Sequence, residues 1–204
     1  MKLKTAAQFM NADTSGFNPA LLDEECKTIA IDSREVKAGD VFFALSQPEY
    51  KNNCFNGDFA DSTQYVASAF EQGATAAVVR PDRFAEHQLE PFRDKILLVD
   101  DCILALQKLA HGVYLEWNKP VVAVTGSAGK TTAKELTAHV LRASGRSVLS
   151  NIKNYNNGLG HPLTVLRILS EENFDLAVLE MGMSTPYNEI ARLCRITPPD
   201  VAVD

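Results

Sequence analysis

The sequence is short of cysteine, has a single tryptophan and contains no long apolar run. Its four cysteines, Cys26, Cys54, Cys102 and Cys194, lie far apart. They form no Cys-x-x-Cys pair and no Cys/His cluster, which argues against a zinc site and against a disulfide framework. Unpaired thiols suit a reducing compartment, and the four read as small apolar residues, buried or half-buried. No apolar stretch approaches the roughly 18 residues that a membrane span needs. The start, Met1-Lys2-Leu3-Lys4-Thr5, lacks the apolar segment of a signal peptide. Excess positive charge is missing as well. Twenty Lys and Arg against 26 Asp and Glu leave a formal net charge of −6, a poor basis for general nucleic-acid binding. There is no internal repeat, heptad or low-complexity tract. These absences point to a soluble cytoplasmic monomer without nucleic-acid partners or a membrane span.

What is present is ordinary globular usage, 46% hydrophobic and 23% charged over 204 residues. That length fits one to two domains, each with its own core. In the first half, residues 28–31, 40–45, 75–79 and 95–99 read as short apolar strands. Residues 46–61 read as a polar loop. Ser62 is a candidate cap for a helix carrying Tyr65, Val66, Ala69 and Phe70 on one face, closed by Gly73. The second half has longer elements. A helix begins at Asp101, with Ile103, Leu106, Ala110, Val113, Tyr114 and Trp117 on one stripe, and ends near Asn118. A strand at 121–124 leads through a glycine-containing loop into a helix from Lys130 to about Ser144, with Ala133, Leu136, Val140 and Leu141 inward. Strands at 147–150, 175–179 and 200–203 and helices from Pro162 and near 188–194 follow. Strands alternating with helices at this spacing predict α/β architecture: a small mixed domain over 1–100, then a parallel-sheet domain over 101–204. The second is at the small end of the usual domain range, so a shortened or partial chain is expected.

Three segments carry chemistry. Thr125-Gly126-Ser127-Ala128-Gly129-Lys130-Thr131-Thr132 follows a buried strand and opens a helix. In that setting, backbone N–H groups and the helix N-terminus cradle an anion. Lys130 can reach terminal phosphates, and the Thr131 hydroxyl can hold Mg²⁺. The strict pattern G-x-x-x-x-G-K-[ST] is not met, because Val124 stands where its first glycine belongs. Glu180 ends a later strand, and the carboxyl ends of parallel strands share the edge that carries the loop. It is a candidate second Mg²⁺ ligand, with a loop or helix cap as the plain alternative. Asp175 lies at the wrong end of the same strand. Asn154-Tyr155-Asn156-Asn157-Gly158-Leu159-Gly160-His161-Pro162 offers amide donors and acceptors with room for close approach. It suits a phosphate or sugar, or else it is an Asx-turn loop. His161, alone beside Pro162, reads as structural rather than as an acid or base.

These segments together resemble the Mur ligase family, the ATP-dependent amide-forming enzymes of peptidoglycan synthesis. The phosphate loop at 125–132 is similar across that family. The Asn loop at 154–162 and Val178-Leu179-Glu180-Met181-Gly182-Met183 resemble the branch that adds D-alanyl-D-alanine to the UDP-N-acetylmuramoyl-tripeptide. Asp32-Ser33-Arg34, residues 39–45 and residues 73–79 are similar to the nucleotide-substrate domain of that branch and its amino-acid-adding neighbour. The resemblance implies ATP and Mg²⁺ as cofactors. It implies phosphate binding by Gly126, Ser127, Ala128, Gly129, Lys130, Thr131 and Thr132, and Mg²⁺ ligation by Thr131 and Glu180. It places Asn154, Asn156 and Asn157 by the reacting phosphate and the muramoyl substrate, and Ser33 and Arg34 on the UDP part. Relatives often carry a histidine near the uridine. This chain reads Phe55-Asn56-Gly57-Asp58-Phe59, so no uracil contact is assigned there.

The implied reaction activates a carboxylate as an acyl phosphate and lets an amine displace phosphate. The work is positioning and charge neutralisation at the transferred phosphoryl group. In the family the amine-binding domain lies downstream of the part matched here, so the 204-residue piece alone is expected to lack turnover. An amino-acid-adding ligase of the same family and a nucleotide-binding module without turnover are the nearest alternatives. A P-loop kinase or GTPase accounts for neither the Asn loop nor the first half.

Overall fold

Apolar runs too short for helices and bounded by turns become the strands of the first sheet. The computed structural model describes residues 1–55, 60–152, 154–170, 173–183 and 188–204. The chain divides into two compact units, Met1–Leu109 and Ala110–Asp204. In the first, β1 (Ile29–Ala30), β2 (Val41–Phe43), β3 (Ala76–Val79) and β4 (Ile96–Leu98) form a parallel sheet in sequence order. β2 and β3 are buried at every position, as strands covered on both faces require. Phe42, Ala77 and Ile96 pack with Val66 and Ala69 in one core cluster. Full burial of a large apolar side chain of this kind stabilises by about 1.5–3 kcal/mol.

The helices of this unit are less plain in the sequence. α1 (Leu3–Met10) buries Leu3, Ala6, Ala7 and Met10, an i, i+3, i+4, i+7 stripe. Its N-cap is Lys2, which offers no accepting oxygen, so the usual start signal is missing. The expected loop at 46–61 opens instead with α2 (Gln47–Asn52). Its start is fixed by Glu49, whose Oε2 accepts from Ser46 N at 2.8 Å and Ser46 Oγ at 2.7 Å. α3 (Val66–Glu71) follows a single 3₁₀ turn at Ser62–Tyr65. The cap there is Asp61, which accepts from Thr63 N at 2.9 Å, and not Ser62. Tyr65 falls on that turn and is 41% exposed rather than in the core. α4 (Pro81–Glu86) precedes β4. Residues 56–59, the segment compared with the relatives' uridine contact, lie outside the described residues.

α5 (Cys102–Trp117) crosses the division between the units. Asp101 Oδ1 caps it through Leu104 N at 2.8 Å. In the second unit, β5 (Val121–Val124), α6 (Lys130–Ala143), β6 (Val148–Ser150), α7 (Gly160–Leu166), β7 (Leu176–Glu180), α8 (Glu189–Ile196) and β8 (Val201–Val203) follow. Their sheet is parallel with the order β6-β7-β5-β8. The chain thus leaves β5 toward one side and later returns to pair on its other side. In open parallel sheets ligands bind beyond the carboxyl ends of strands at such a reversal, and the glycine-containing loop follows β5 there.

The inward face of α6 differs from the one the apolar residues suggest. Leu136 and Val140 are 63% and 58% exposed, whereas Lys134 and Ala138 are buried. Ala133 and Leu141 are partly buried against Val124, Ala138, Val148 and Val178. At 100° per residue, 134, 138 and 141 share one face and 136 and 140 the opposite one. A buried lysine had disguised the true stripe.

Candidate phosphate and metal site

The loop 125–129 turns sharply because two glycines adopt backbone that other residues resist. Gly126 has φ +126° and Gly129, the N-cap of α6, has φ +77°. The exposed first turn of α6 leaves its N–H groups and the positive end of the helix dipole available to an anion. Lys130 Nζ lies across the loop, donating to Gly126 O at 2.8 Å. A cavity of about 410 Å³ opens at this point, lined by Thr125, Gly126, Ser127, Lys130, Met183, Ile190 and Asp204. Ser127, Ala128, Thr131 and Thr132 are exposed along the loop and first helical turn.

Glu180 ends β7 in register with Val124, so the sheet carries its carboxylate to the start of the loop. Thr131 Oγ1 donates to Glu180 Oε2 at 2.8 Å. Asn156 Nδ2 donates to the other oxygen, Oε1, also at 2.8 Å. Glu180 is 4% exposed. Gly182 matters to this cluster through space rather than through φ. A Cβ there would stand 2.7 Å from Asn156 Cγ, so a larger residue would displace the amide from Glu180. Gly182 N also donates to Asn156 O at 2.7 Å.

The three asparagines are thus placed differently. Asn156 joins Thr131 and Glu180. Asn157 Oδ1 accepts from Leu159 N at 3.1 Å and Gly160 N at 2.8 Å, holding the start of α7. Asn154 is exposed on the loop. His161 is fully buried, with Nε2 2.6 Å from Thr197 Oγ1. Burial away from solvent lowers its pKa from 6.5 to about 4. It is a neutral ring that ties α7 to the end of α8, in line with the structural reading.

In the first unit, Ser33 is buried in a 3₁₀ turn and Arg34 projects from it. Asp32 grips the guanidinium, with Arg34 Nε 2.9 Å from Oδ1 and Nη2 2.5 Å from Oδ2. Those hydrogen bonds, with one from the Arg34 amide, lower the Asp32 carboxyl to about 2. The Arg34 side chain remains 86% exposed, a fixed cation open to an anionic partner.

Sequence reasoning missed the groups beneath the site. Lys134 is 1% exposed, and its Nζ donates to Asn151 O at 3.0 Å and pairs with Glu135 Oε1 at 2.7 Å. Asn151 and Glu189 are buried as well, and Glu189 Oε1 accepts from Gly158 N at 3.2 Å. One signal was available: Lys134 follows Lys130 by four residues, which puts both on one helix face. Among the described residues, no three His, Cys, Asp or Glu gather as a metal cluster, and no helix is long and apolar enough to cross a membrane.

Comparison with known proteins bears on this arrangement. Residues 124–203 match the Mur ligase middle domain. The UDP-N-acetylmuramoyl-tripeptide–D-alanyl-D-alanine ligase of Bacillus subtilis is 37% identical over 186 residues, covering 91% of this chain and 37% of that protein. The Haemophilus influenzae ligase of the same name is 33% identical, covering all of this chain and 40% of its own length. A crystal structure of MurF from Acinetobacter baumannii superposes with a TM-score of 0.78 at 29% identity, over 98% of this chain and 40% of that one. MurF ligase from Thermotoga maritima, solved in complex with ADP, gives 0.66 at 32% identity, over 85% and 36%. The chain thus spans 37% to 40% of the length of the first two relatives.

Proposed function

Since the chain belongs to the Mur ligase family, we propose that it forms the substrate- and ATP-binding part of a ligase. That ligase joins D-alanyl-D-alanine to UDP-N-acetylmuramoyl-tripeptide. The observation that carries this reading is the meeting of Thr131, Glu180 and Asn156 beside the phosphate loop. In the proposal, residues 1–100 take the UDP-sugar peptide through Ser33 and Arg34, and residues 101–204 take ATP. A guanidinium already oriented by Asp32 suits a diphosphate better than a free arginine would, because less freedom is lost on binding.

The chemistry at the loop follows from charge. The Gly126–Thr132 amides and the α6 N-terminus hold the phosphate chain, and Lys130 adds a full positive charge to it. Among the described residues, Lys130 exchanges the Gly126 carbonyl for a phosphate oxygen. Thr131 and Glu180 are oxygen donors already in contact, and Mg²⁺ takes one or two protein oxygens of this kind, completing its shell with phosphates and water. The pair therefore fits Mg²⁺, which when bound neutralises phosphate charge. Asn156 orients the Glu180 carboxylate, and Asn154 and Asn157 complete the loop proposed for the muramoyl side. Phosphorylation of the tripeptide carboxylate gives an acyl phosphate, which the dipeptide amine then attacks, releasing phosphate.

The test supplies a protein containing this sequence with ATP, Mg²⁺, the UDP-linked tripeptide and D-alanyl-D-alanine. Mass spectrometry should find the UDP-linked pentapeptide, with one phosphate released per product. Lys130→Ala should lower turnover by about 10²-fold or more, the scale seen when one transition-state donor is removed, with the melting temperature unchanged. Product formation from single amino acids but not from the dipeptide would overturn the assignment of substrate. Normal turnover in Lys130→Ala would overturn the assignment of the loop.

A further inference from the structure

Asn151 sits at the end of β6, 3% exposed and outside every motif that marks the site. Its two amide atoms are both committed. Oδ1 accepts from the Glu180 backbone N–H at 2.6 Å, and Nδ2 donates to Tyr155 O at 2.6 Å. Its own carbonyl accepts from Lys134 Nζ at 3.0 Å. One buried residue thus connects α6, the end of β7 and the loop that carries Asn156. Both ends of this link reach the same residue. Glu180 is held from its main chain by Asn151 and from its side chain by Asn156, whose loop Asn151 also holds through Tyr155.

We infer that Asn151 is a positioning residue, which sets the Glu180 carboxylate and the Asn156 amide in one geometry for a divalent cation. Lys134 fixes Asn151 from below. A buried side-chain amide satisfying a donor and an acceptor at once has one orientation, because its oxygen and nitrogen cannot be exchanged without opposing like groups. The backbone of Glu180 then has no freedom to drift along the strand end. Ligand carboxylates depend on such outer contacts, and loss of one typically weakens metal binding by about 10- to 100-fold. The close approach of the loop agrees: a Cβ on Gly160 would stand 2.6 Å from Tyr155 Cα, so the segment that Asn151 grips packs without slack.

The inference rests on the reading of Thr131 and Glu180 as Mg²⁺ donors, and the experiment separates the two. ADP binding to the 204-residue protein is measured by calorimetry over a Mg²⁺ series, including metal-free buffer. The wild type should gain ADP affinity with Mg²⁺, and Glu180→Gln should abolish the gain. If Glu180→Gln keeps the full gain, the metal reading itself fails. Asn151→Ala should leave metal-free ADP binding unaltered while raising the Mg²⁺ needed for half of the gain by about 10-fold or more. Asn151→Ser, whose side chain is shorter and has one polar atom in place of two, carries the same test should Asn151→Ala fail to melt cooperatively. With Glu180→Gln behaving as stated, an unchanged Mg²⁺ requirement in the Asn151 variants overturns the inference and leaves the metal reading standing. So does an equal loss of ADP affinity with and without Mg²⁺, which is what mere structural damage gives.

Discussion

A single buried imidazole gives the second unit a measurable dependence on pH. His161 titrates at about 4 in the folded chain, against 6.5 without burial. Between those values the unfolded chain holds a proton that the folded chain does not. Stability is therefore complete above about pH 6.5 and falls as the pH drops through this window, by about 2 kcal/mol at pH 5 and about 3 kcal/mol once below it. Trp117, the one tryptophan, belongs to the same unit and reports its unfolding by fluorescence. Urea midpoints should fall between pH 7 and pH 5 in the wild type. In His161→Gln, whose amide can still meet Thr197, the slope over that range should flatten. An unaltered slope in the variant would assign the effect to another group.

At the scale of the element, α6 is the clearest case of pattern and packing disagreeing. A reading by apolar residues alone puts Leu136 and Val140 inside, yet both are mostly exposed. Ala138 is fully buried against Val124, Val148 and Val178. Leu136→Lys should therefore change unfolding free energy by no more than about 0.5 kcal/mol, as at other surface positions. Ala138→Leu adds carbon atoms to a filled core and should cost about 1–3 kcal/mol. Chemical denaturation of the two variants distinguishes this face from its opposite, since the apolar reading predicts the reverse order. The ends of α6 were legible without the structure. Gly129-Lys130 and Gly145 are local signals, and each acts within one turn of the helix.

For the molecule as a whole, the location of the division decides which fragments fold. The changed rhythm of strands and helices suggests a boundary near residue 100; the two compact units divide at Leu109 and Ala110, inside α5. The first turns of α5 serve the first unit. The Cys102 amide donates to Glu49 Oε1, and Cys102 Sγ lies 3.6 Å from Val78 O. Glu49 is fully buried, and desolvation raises its carboxyl above the usual range despite these partners. A fragment 1–100 removes Cys102, Ile103 and Leu106, all fully buried, and leaves Glu49 short of a donor. The unpaired acceptor alone costs about 1–3 kcal/mol, and each kcal/mol moves the melting temperature of a domain this size by about 4–8 °C. Circular dichroism should show 1–118 melting cooperatively and 1–100 melting at least about 10 °C lower or not at all. Equal melting temperatures would show that α5 adds nothing to the first unit.

Features that act over a few residues were readable from the chain alone. The loop from Thr125 to Thr132 lies between a buried strand and a helix, and hydrogen bonds and φ preferences within that span impose its shape. The α/β alternation was readable for the same reason, because a strand fully covered on both faces must be apolar throughout. Lys130, Thr131 and Glu180 could be named from such signals. Which groups surround Glu180 depends on how distant strands are brought together. Thr131 and Asn151 lie 49 and 29 residues from it along the chain, and no local preference sets those distances. The order β6-β7-β5-β8 does, by laying the end of β7 beside the loop after β5 and the end of β6 against β7. It also turned Asn156 toward the carboxylate and Asn157 toward a helix start, and it buried Lys134 in a face that its charge would have assigned to solvent. Each of these depends on a partner supplied by a distant strand, and a polar side chain can be buried only where such a partner exists.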